Sequence, residues 1–200
     1  MNSKIKAIIF DLDGLLIDSE PIWNKAYERF LKKKNLVDKP EISEKFMGRG
    51  IKEIIDLMRI HFGLTGEVDD LAKQYRDNFY ESLFLPGNLR LMEGARDLLE
   101  RLNKDNKYAL AIATSGHKAE MASKILGLLG VKGYFQQIIS GDDVTRGKPE
   151  PDVYEETARK LGASVSACLV LEDSVNGARS GKAAGMRVIG VNADDKLRQQ

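Results

Sequence analysis

The apolar run Ala7-Ile8-Ile9-Phe10, preceded by Ile5, empties directly into Asp11-Leu12-Asp13-Gly14. Such a run reads as a buried strand that delivers two carboxylates, two residues apart, to its C-terminal end. Side chains alternate along a strand, so Asp11 and Asp13 would point the same way if the strand continued. Two carboxylates brought together repel unless a cation or a shared proton intervenes. A hard, oxygen-seeking cation such as Mg²⁺ is the expected partner.

Four further apolar runs read as strands: Tyr108 to Ala113, Gln137 to Ser140, Ala167 to Leu171 and Arg187 to Val191. Each is nearly continuous at its centre, as expected of parallel strands covered on both faces. Helical patterns alternate with them at Gly94 to Leu102, His117 to Leu129, Pro151 to Leu161 and Val175 to Ala184. That alternation predicts an α/β fold with a doubly wound parallel sheet. Ligands of such sheets bind beyond the carboxyl ends of the strands. The residues there are Asp11 and Asp13, then Thr114-Ser115-Gly116, then Gly141-Asp142-Asp143 with Gly147-Lys148-Pro149, then Glu172-Asp173-Ser174. Taken singly, Thr114 and Ser115 also read as helix caps, Lys148 as a solvated loop lysine, and Glu172 and Asp173 as caps of the helix from Val175. Asp11 and Asp13 are harder to explain as structure alone, because burying paired carboxylates is costly.

The segment from Pro21 to Leu85 breaks the alternation. It reads as wholly helical, with pieces at Pro21 to Lys34, Glu41 to Met47, Ile51 to Phe62 and Val68 to Leu83. Pro21 suits a helix start, where its missing N–H costs nothing. Pro40 and the Gly48-Arg49-Gly50 loop separate the pieces, and Leu85-Pro86-Gly87 is the expected return hinge. A helical block inserted after the first strand predicts a second domain, a cap over residues 19–86. The core would then comprise residues 1–18 and 87–200.

Bulk properties bound the reading. The chain has 200 residues, 42% hydrophobic and 30% charged, with a net charge of +1. That balance gives no sign of a nucleic-acid or membrane surface. No apolar run approaches the roughly 20 residues of a membrane span. The N-terminus leads straight into the first strand without signal-peptide architecture. The one cysteine, Cys168, lies in an apolar run and reads as a buried strand residue. A reducing cytosol fits this cysteine usage, and a cytoplasmic monomer is expected.

The chain resembles the haloacid dehalogenase-like hydrolase superfamily, in the branch that holds β-phosphoglucomutase and small sugar-phosphate phosphatases. The resemblance rests on four motifs in order: Asp11-Leu12-Asp13-Gly14, Thr114 with Ser115, Lys148 in Gly147-Lys148-Pro149-Glu150-Pro151-Asp152, and Glu172-Asp173-Ser174. The stretch from Asp13 to Pro21 looks like the phosphatase side of that branch. The resemblance implies a Mg²⁺-dependent phosphatase of a small phosphorylated metabolite, with a sugar phosphate expected. Asp11 would be the nucleophile that forms an aspartyl-phosphate, and Asp13 the general acid and then base. Thr114, Ser115, Gly116 and Lys148 would hold the transferring phosphoryl group. The metal ligands would be Asp11, the Asp13 backbone carbonyl and Asp173, with Glu172 joining through water or from behind.

The alternative is a β-phosphoglucomutase-type mutase. Its cap supplies a histidine, which falls here on Trp23. It also supplies a lysine and an arginine four apart, which fall on Met47 and Ile51. Trp23 cannot relay a proton and the other two carry no charge, which favours hydrolysis. Glu20, Trp23, Arg49, Gly50 and Lys52 are the expected cap contacts to substrate, with Trp23 reading equally well as packing in the cap core. His117, near the phosphate site, reads as a solvated helix-start residue or else as a substrate contact, and His61 and Arg76 as cap surface. Relatives usually continue past the last strand, so the expectation is either a truncated chain or a barer sheet edge than usual.

Overall fold

A computed structural model describes residues 4–46 and 49–191. The expectations placed on Met47 and on the polar tail 194–200 lie outside the described residues. Five strands form one parallel sheet: β1 (Ala7–Phe10), β2 (Ala109–Thr114), β3 (Gln137–Ser140), β4 (Cys168–Glu172) and β5 (Arg187–Gly190). Their order across the sheet is β3-β2-β1-β4-β5. The winding therefore reverses between β1 and β4, the switch point at which such sheets bind ligands. In register, Phe10 lies beside Ile112 on one side and Leu171 on the other. Asp11 and the Glu172-Asp173 pair thus emerge side by side at the switch point.

Alternate residues of the central strands feed two cores. Ile8, Phe10, Leu110 and Ile112 face α5 (Ala95–Asp105) and α6 (Ala119–Leu128) through Leu99, Ala122, Ile125 and Leu126. Ala7, Ile9, Ala113 and Val170 face α7 (Asp152–Leu161) through Val153, Tyr154 and Ala158. The last helix is α8 (Val175–Ala183). Both faces of the central sheet are thus covered, which explains its unbroken apolar runs. The edge strand β5 is less covered than the central strands: Ile189 is 49% exposed, and Val191, just past its end, 47%. Among the described residues its one strand neighbour is β4.

Four helices follow the first strand: α1 (Glu20–Lys33), α2 (Pro40–Ser43), α3 (Ile51–Phe62) and α4 (Val68–Leu83). They share their own apolar core of Tyr27, Phe30, Ile54, Ile55, Met58, Leu71 and Tyr75. Ile22 and Ala26 of α1 and Phe79 and Leu83 of α4 instead join the sheet's core. The helical insert is therefore seated on the sheet domain. The second helix is shorter than expected: it ends at Ser43, and Phe46 packs on the insert's core from beyond it. No helix among the described residues is long and apolar enough to cross a membrane.

Candidate active site

The floor of the site is a buried ion-pair network. Backbone pairing carries Asp11 one residue beyond β1, where its N–H donates to Leu171 O at 3.0 Å. Lys148 Nζ lies 2.6 Å from Asp11 Oδ1, 2.5 Å from Glu172 Oε1 and 3.1 Å from Ala113 O. Burial would by itself discharge this lysine. Asp11 and Glu172 outweigh that and raise its pKa well above the ordinary value. Glu172 is fixed in turn: Tyr154 O–H donates to Oε1 at 3.0 Å, and Ser174 N–H and O–H donate to Oε2 at 2.9 Å each. Burial raises the Glu172 pKa, but Lys148 and Ser174 more than offset it and the net shift is downward. Gly177 makes room for this carboxylate, because a Cβ there would sit 1.6 Å from Glu172 Oε1. Lys148 is only 1% exposed, so it is no solvated loop lysine.

Asp13 sits in a second network that joins core and insert. Trp23 Nε1–H donates to Asp13 Oδ1 at 2.9 Å, and His117 Nε2 lies 3.1 Å from the same oxygen. Tyr80 Oη lies 3.1 Å from His117 Nδ1. His117 Nε2–H donates to the carboxylate, and Tyr80 Oη is the partner of Nδ1. Burial opposes ionisation of Asp13, but His117, Ser19 and Trp23 prevail and lower its pKa to about 2. His117 is fully buried, contrary to the solvated position expected for it. Its carbonyl accepts from Ser140 O–H at 2.6 Å, and α6 begins only at Ala119. The residue thus belongs to the turn from β2 and aims its ring at Asp13.

Thr114 and Ser115, at the end of β2, carry buried hydroxyls with no hydrogen-bond partner. An unpartnered buried hydroxyl costs stability, and two side by side suit a ligand that brings oxygens to them. Asp173 lies against Gly14, where a Cβ would come within 2.2 Å of its Oδ2. Gly14 also holds φ +74°, so glycine is required there twice over. Burial pushes the Asp173 pKa up to about 7, with Glu172 adding to the shift. Burial likewise pushes Asp11 up, opposed by Lys148 and reinforced by Glu172, Asp173 and Asp13. Crowded carboxylates of this kind are relieved by a cation. No three His, Cys, Asp or Glu side chains converge as a metal cage among the described residues. Two carboxylates with a backbone carbonyl and waters suit Mg²⁺, which keeps much of its hydration.

A cavity of about 360 Å³ opens over this floor. Asp11, Asp13, Ser115, Gly116 and Asp173 line it from the sheet side, and Glu20, Trp23 and Arg49 from the insert. Those eight expected residues are brought together, while Thr114, Lys148 and Glu172 lie buried beneath. Gly50 and Lys52, also expected as contacts, do not line the cavity. Lys52 instead pairs with Asp69 at 2.7 Å. Arg76 is not surface: it is 6% exposed and pairs with Asp142 of the sheet domain at 2.9 Å. His61 is half-buried. Sequence reading missed Tyr154, Tyr80 and Tyr75. The partners of Glu172 and His117 become visible only once α7 and α4 are docked.

The family model for haloacid dehalogenase-like hydrolases matches residues 8–191. Among curated relatives, the chain is 32% identical to the 6-phosphogluconate phosphatase of Escherichia coli K12, over 96% of this chain and 85% of that protein. It is 35% identical to hexitol phosphatase A of the same organism, over 95% and 84%. Among solved structures, it resembles CbbY from Rhodobacter sphaeroides in complex with phosphate. The TM-score is 0.79 and the identity 29%, covering 95% of this chain and 87% of that one. The family model spans most of its length, and the chain belongs to the haloacid dehalogenase-like hydrolase family.

Proposed function

We propose that the chain is a Mg²⁺-dependent phosphatase of a small phosphorylated metabolite, a sugar phosphate by preference, acting through an aspartyl-phosphate on Asp11. One observation carries this reading: Asp11 and Asp13 open on one cavity beside the unpartnered hydroxyls of Thr114 and Ser115, with Lys148 fixed on Asp11 from below. The phosphatases among the relatives support it. In this reading residues 19–86 are the cap and residues 1–18 with 87–200 the core. The protein works as a monomer in the cytoplasm, with no nucleic-acid or membrane partner. The single buried Cys168 and the net charge of +1 support that placement.

Asp11 attacks phosphorus, a bond forms from its carboxylate oxygen, and the bond to the leaving alkoxide breaks. Asp13 protonates that alkoxide and later takes a proton from the attacking water, which frees phosphate and restores Asp11. Substrate-free, Asp13 is ionised. The arriving phosphoryl group, a neighbouring negative charge, favours its protonated form. Ser115, Thr114 and Gly116 orient the phosphoryl oxygens, and Lys148 opposes the protonation of Asp11 that burial favours while neutralising charge beneath it. Asp11, Asp173 and the Asp13 carbonyl would hold Mg²⁺. Glu172, both of whose oxygens are taken, would join only through water. When bound, the cation neutralises charge between Asp11 and the phosphoryl oxygens.

The test is Mg²⁺-dependent phosphate release from p-nitrophenyl phosphate and a panel of sugar phosphates. Conversion of β-glucose 1-phosphate to the 6-phosphate without phosphate release would establish the mutase instead.

A further inference from the structure

The cavity has a sheet side that carries the chemistry and an insert side of a different character. The insert contributes Trp23, Tyr27, Phe46, Ile51, Ile54 and Tyr75 to the lining. The polar atoms of the first two are already engaged. The Trp23 N–H is held by Asp13, and the Tyr27 O–H donates to Asp38 at 2.7 Å. Trp23 also stacks on Phe79 with ring centroids 3.8 Å apart, and lies nearly parallel to Tyr75 at 5.7 Å. The Trp23 and Tyr27 rings are therefore fixed by their neighbours before any ligand arrives and offer apolar surface, and Asn24 and Ser43 add neutral polar groups beside them.

The charge on this side points the same way. Arg49 is the one cation among the described lining residues, and it is already occupied. Its Nη1 lies 3.4 Å from Glu53 Oε2, and its Nε–H donates to Lys45 O at 2.9 Å. Glu20 and Glu44 line the same side and carry the opposite charge. A second phosphate or a carboxylate on the substrate would meet two carboxylates and one arginine that is already paired. An anion placed there is disfavoured by like charge.

We propose, building on the phosphatase reading above, that the preferred substrates are monophosphate esters whose leaving group is an uncharged ring with an apolar face. Esters carrying a second anionic group are rejected. Two sources share that chemistry: the base of a nucleoside 5′-monophosphate, and the C–H face of a hexose or deoxyhexose 6-phosphate. Ring faces of either kind gain from burial against aromatic surface. The selectivity thereby departs from the name of the 6-phosphogluconate phosphatase relative, whose substrate carries a carboxylate.

The experiment compares kcat/KM, with Mg²⁺, for p-nitrophenyl phosphate, glucose 6-phosphate, 2-deoxyglucose 6-phosphate, uridine 5′-monophosphate, 6-phosphogluconate and glucose 1,6-bisphosphate. The best neutral-ring substrate is expected to exceed both doubly anionic ones by about tenfold or more. Whether the nucleotide or the hexose leads tells the two sources apart. Glu44→Lys is expected to narrow the gap by lowering KM for 6-phosphogluconate. If 6-phosphogluconate or the bisphosphate equals the neutral substrates while p-nitrophenyl phosphate is hydrolysed, this inference is wrong and the phosphatase reading stands. If no phosphate ester is hydrolysed, p-nitrophenyl phosphate included, the phosphatase reading fails and takes this inference with it.

Discussion

Trp23 crosses from the helical insert to place its indole N–H 2.9 Å from Asp13 Oδ1. An indole N–H is a donor only, so it orients the carboxylate and cannot shuttle its proton. Trp23→Phe keeps the stacking on Phe79 and deletes the donor. Hydrogen bonds to charged groups contribute roughly 1.5–3 kcal/mol. We expect kcat to fall about tenfold with a smaller change in KM, read from steady-state phosphate release. An unchanged kcat would mean that Asp13 needs no help from the insert.

His117 is the other donor to Asp13 and is held by Tyr80 from α4. His117→Gln, which retains one donor, should keep more kcat than His117→Ala at saturating substrate. Tyr80→Phe should cost less than either, because it removes only the group behind the imidazole. Equal losses in the Gln and Ala variants would reduce His117 to a space-filling role.

The strands, the four long helices of the sheet domain and the motif residues at the strand ends were legible because apolar runs and punctuation are local signals. Asp11, Asp13, Ser115 and Asp173 came together as their strand ends implied. His117 and Arg76 were misjudged for one physical reason. Both are polar residues buried by a partner distant in sequence, Asp13 for one and Asp142 for the other. Nothing in the local pattern separates such a residue from a solvated one. The end of α2 at Ser43 was likewise not marked locally, because Ile42 and Phe46 are spaced as one helical stripe although Phe46 reaches the insert's core from outside the helix.

The Lys148 network should be visible in stability. Removing one partner of a buried pair leaves an uncompensated charge, at a cost of about 3–5 kcal/mol. Lys148→Met strands both Asp11 and Glu172 and should unfold at clearly lower urea while losing turnover. Glu172→Gln keeps one acceptor oxygen, either for Lys148 and Tyr154 or for the two Ser174 donors, so it should hydrolyse more slowly and lose less stability than Lys148→Met. Wild-type stability in Lys148→Met would contradict the ion-pair geometry.

Metal binding should depend on pH through Asp173, whose pKa is raised from its ordinary 3.8 to about 7 by burial and by Glu172. Without metal, the stability this group contributes is complete below about pH 4 and is lost as pH rises through about 7. Mg²⁺ competes with that proton, so its stabilising effect should grow over the same interval. Thermal unfolding with and without Mg²⁺ at pH 5 and pH 8 should show the larger shift at pH 8. Equal shifts would remove Asp173 from the metal site.

The central claim is covalent catalysis at Asp11. The most direct measurement quenches the enzyme in acid during turnover with Mg²⁺ and a hydrolysed ester, then maps peptide masses. One phosphoryl group on the peptide containing Asp11, absent from Asp11→Asn along with phosphate release, is the expected result. Steady phosphate release by Asp11→Asn, or a phosphoryl group on a different residue, would contradict it.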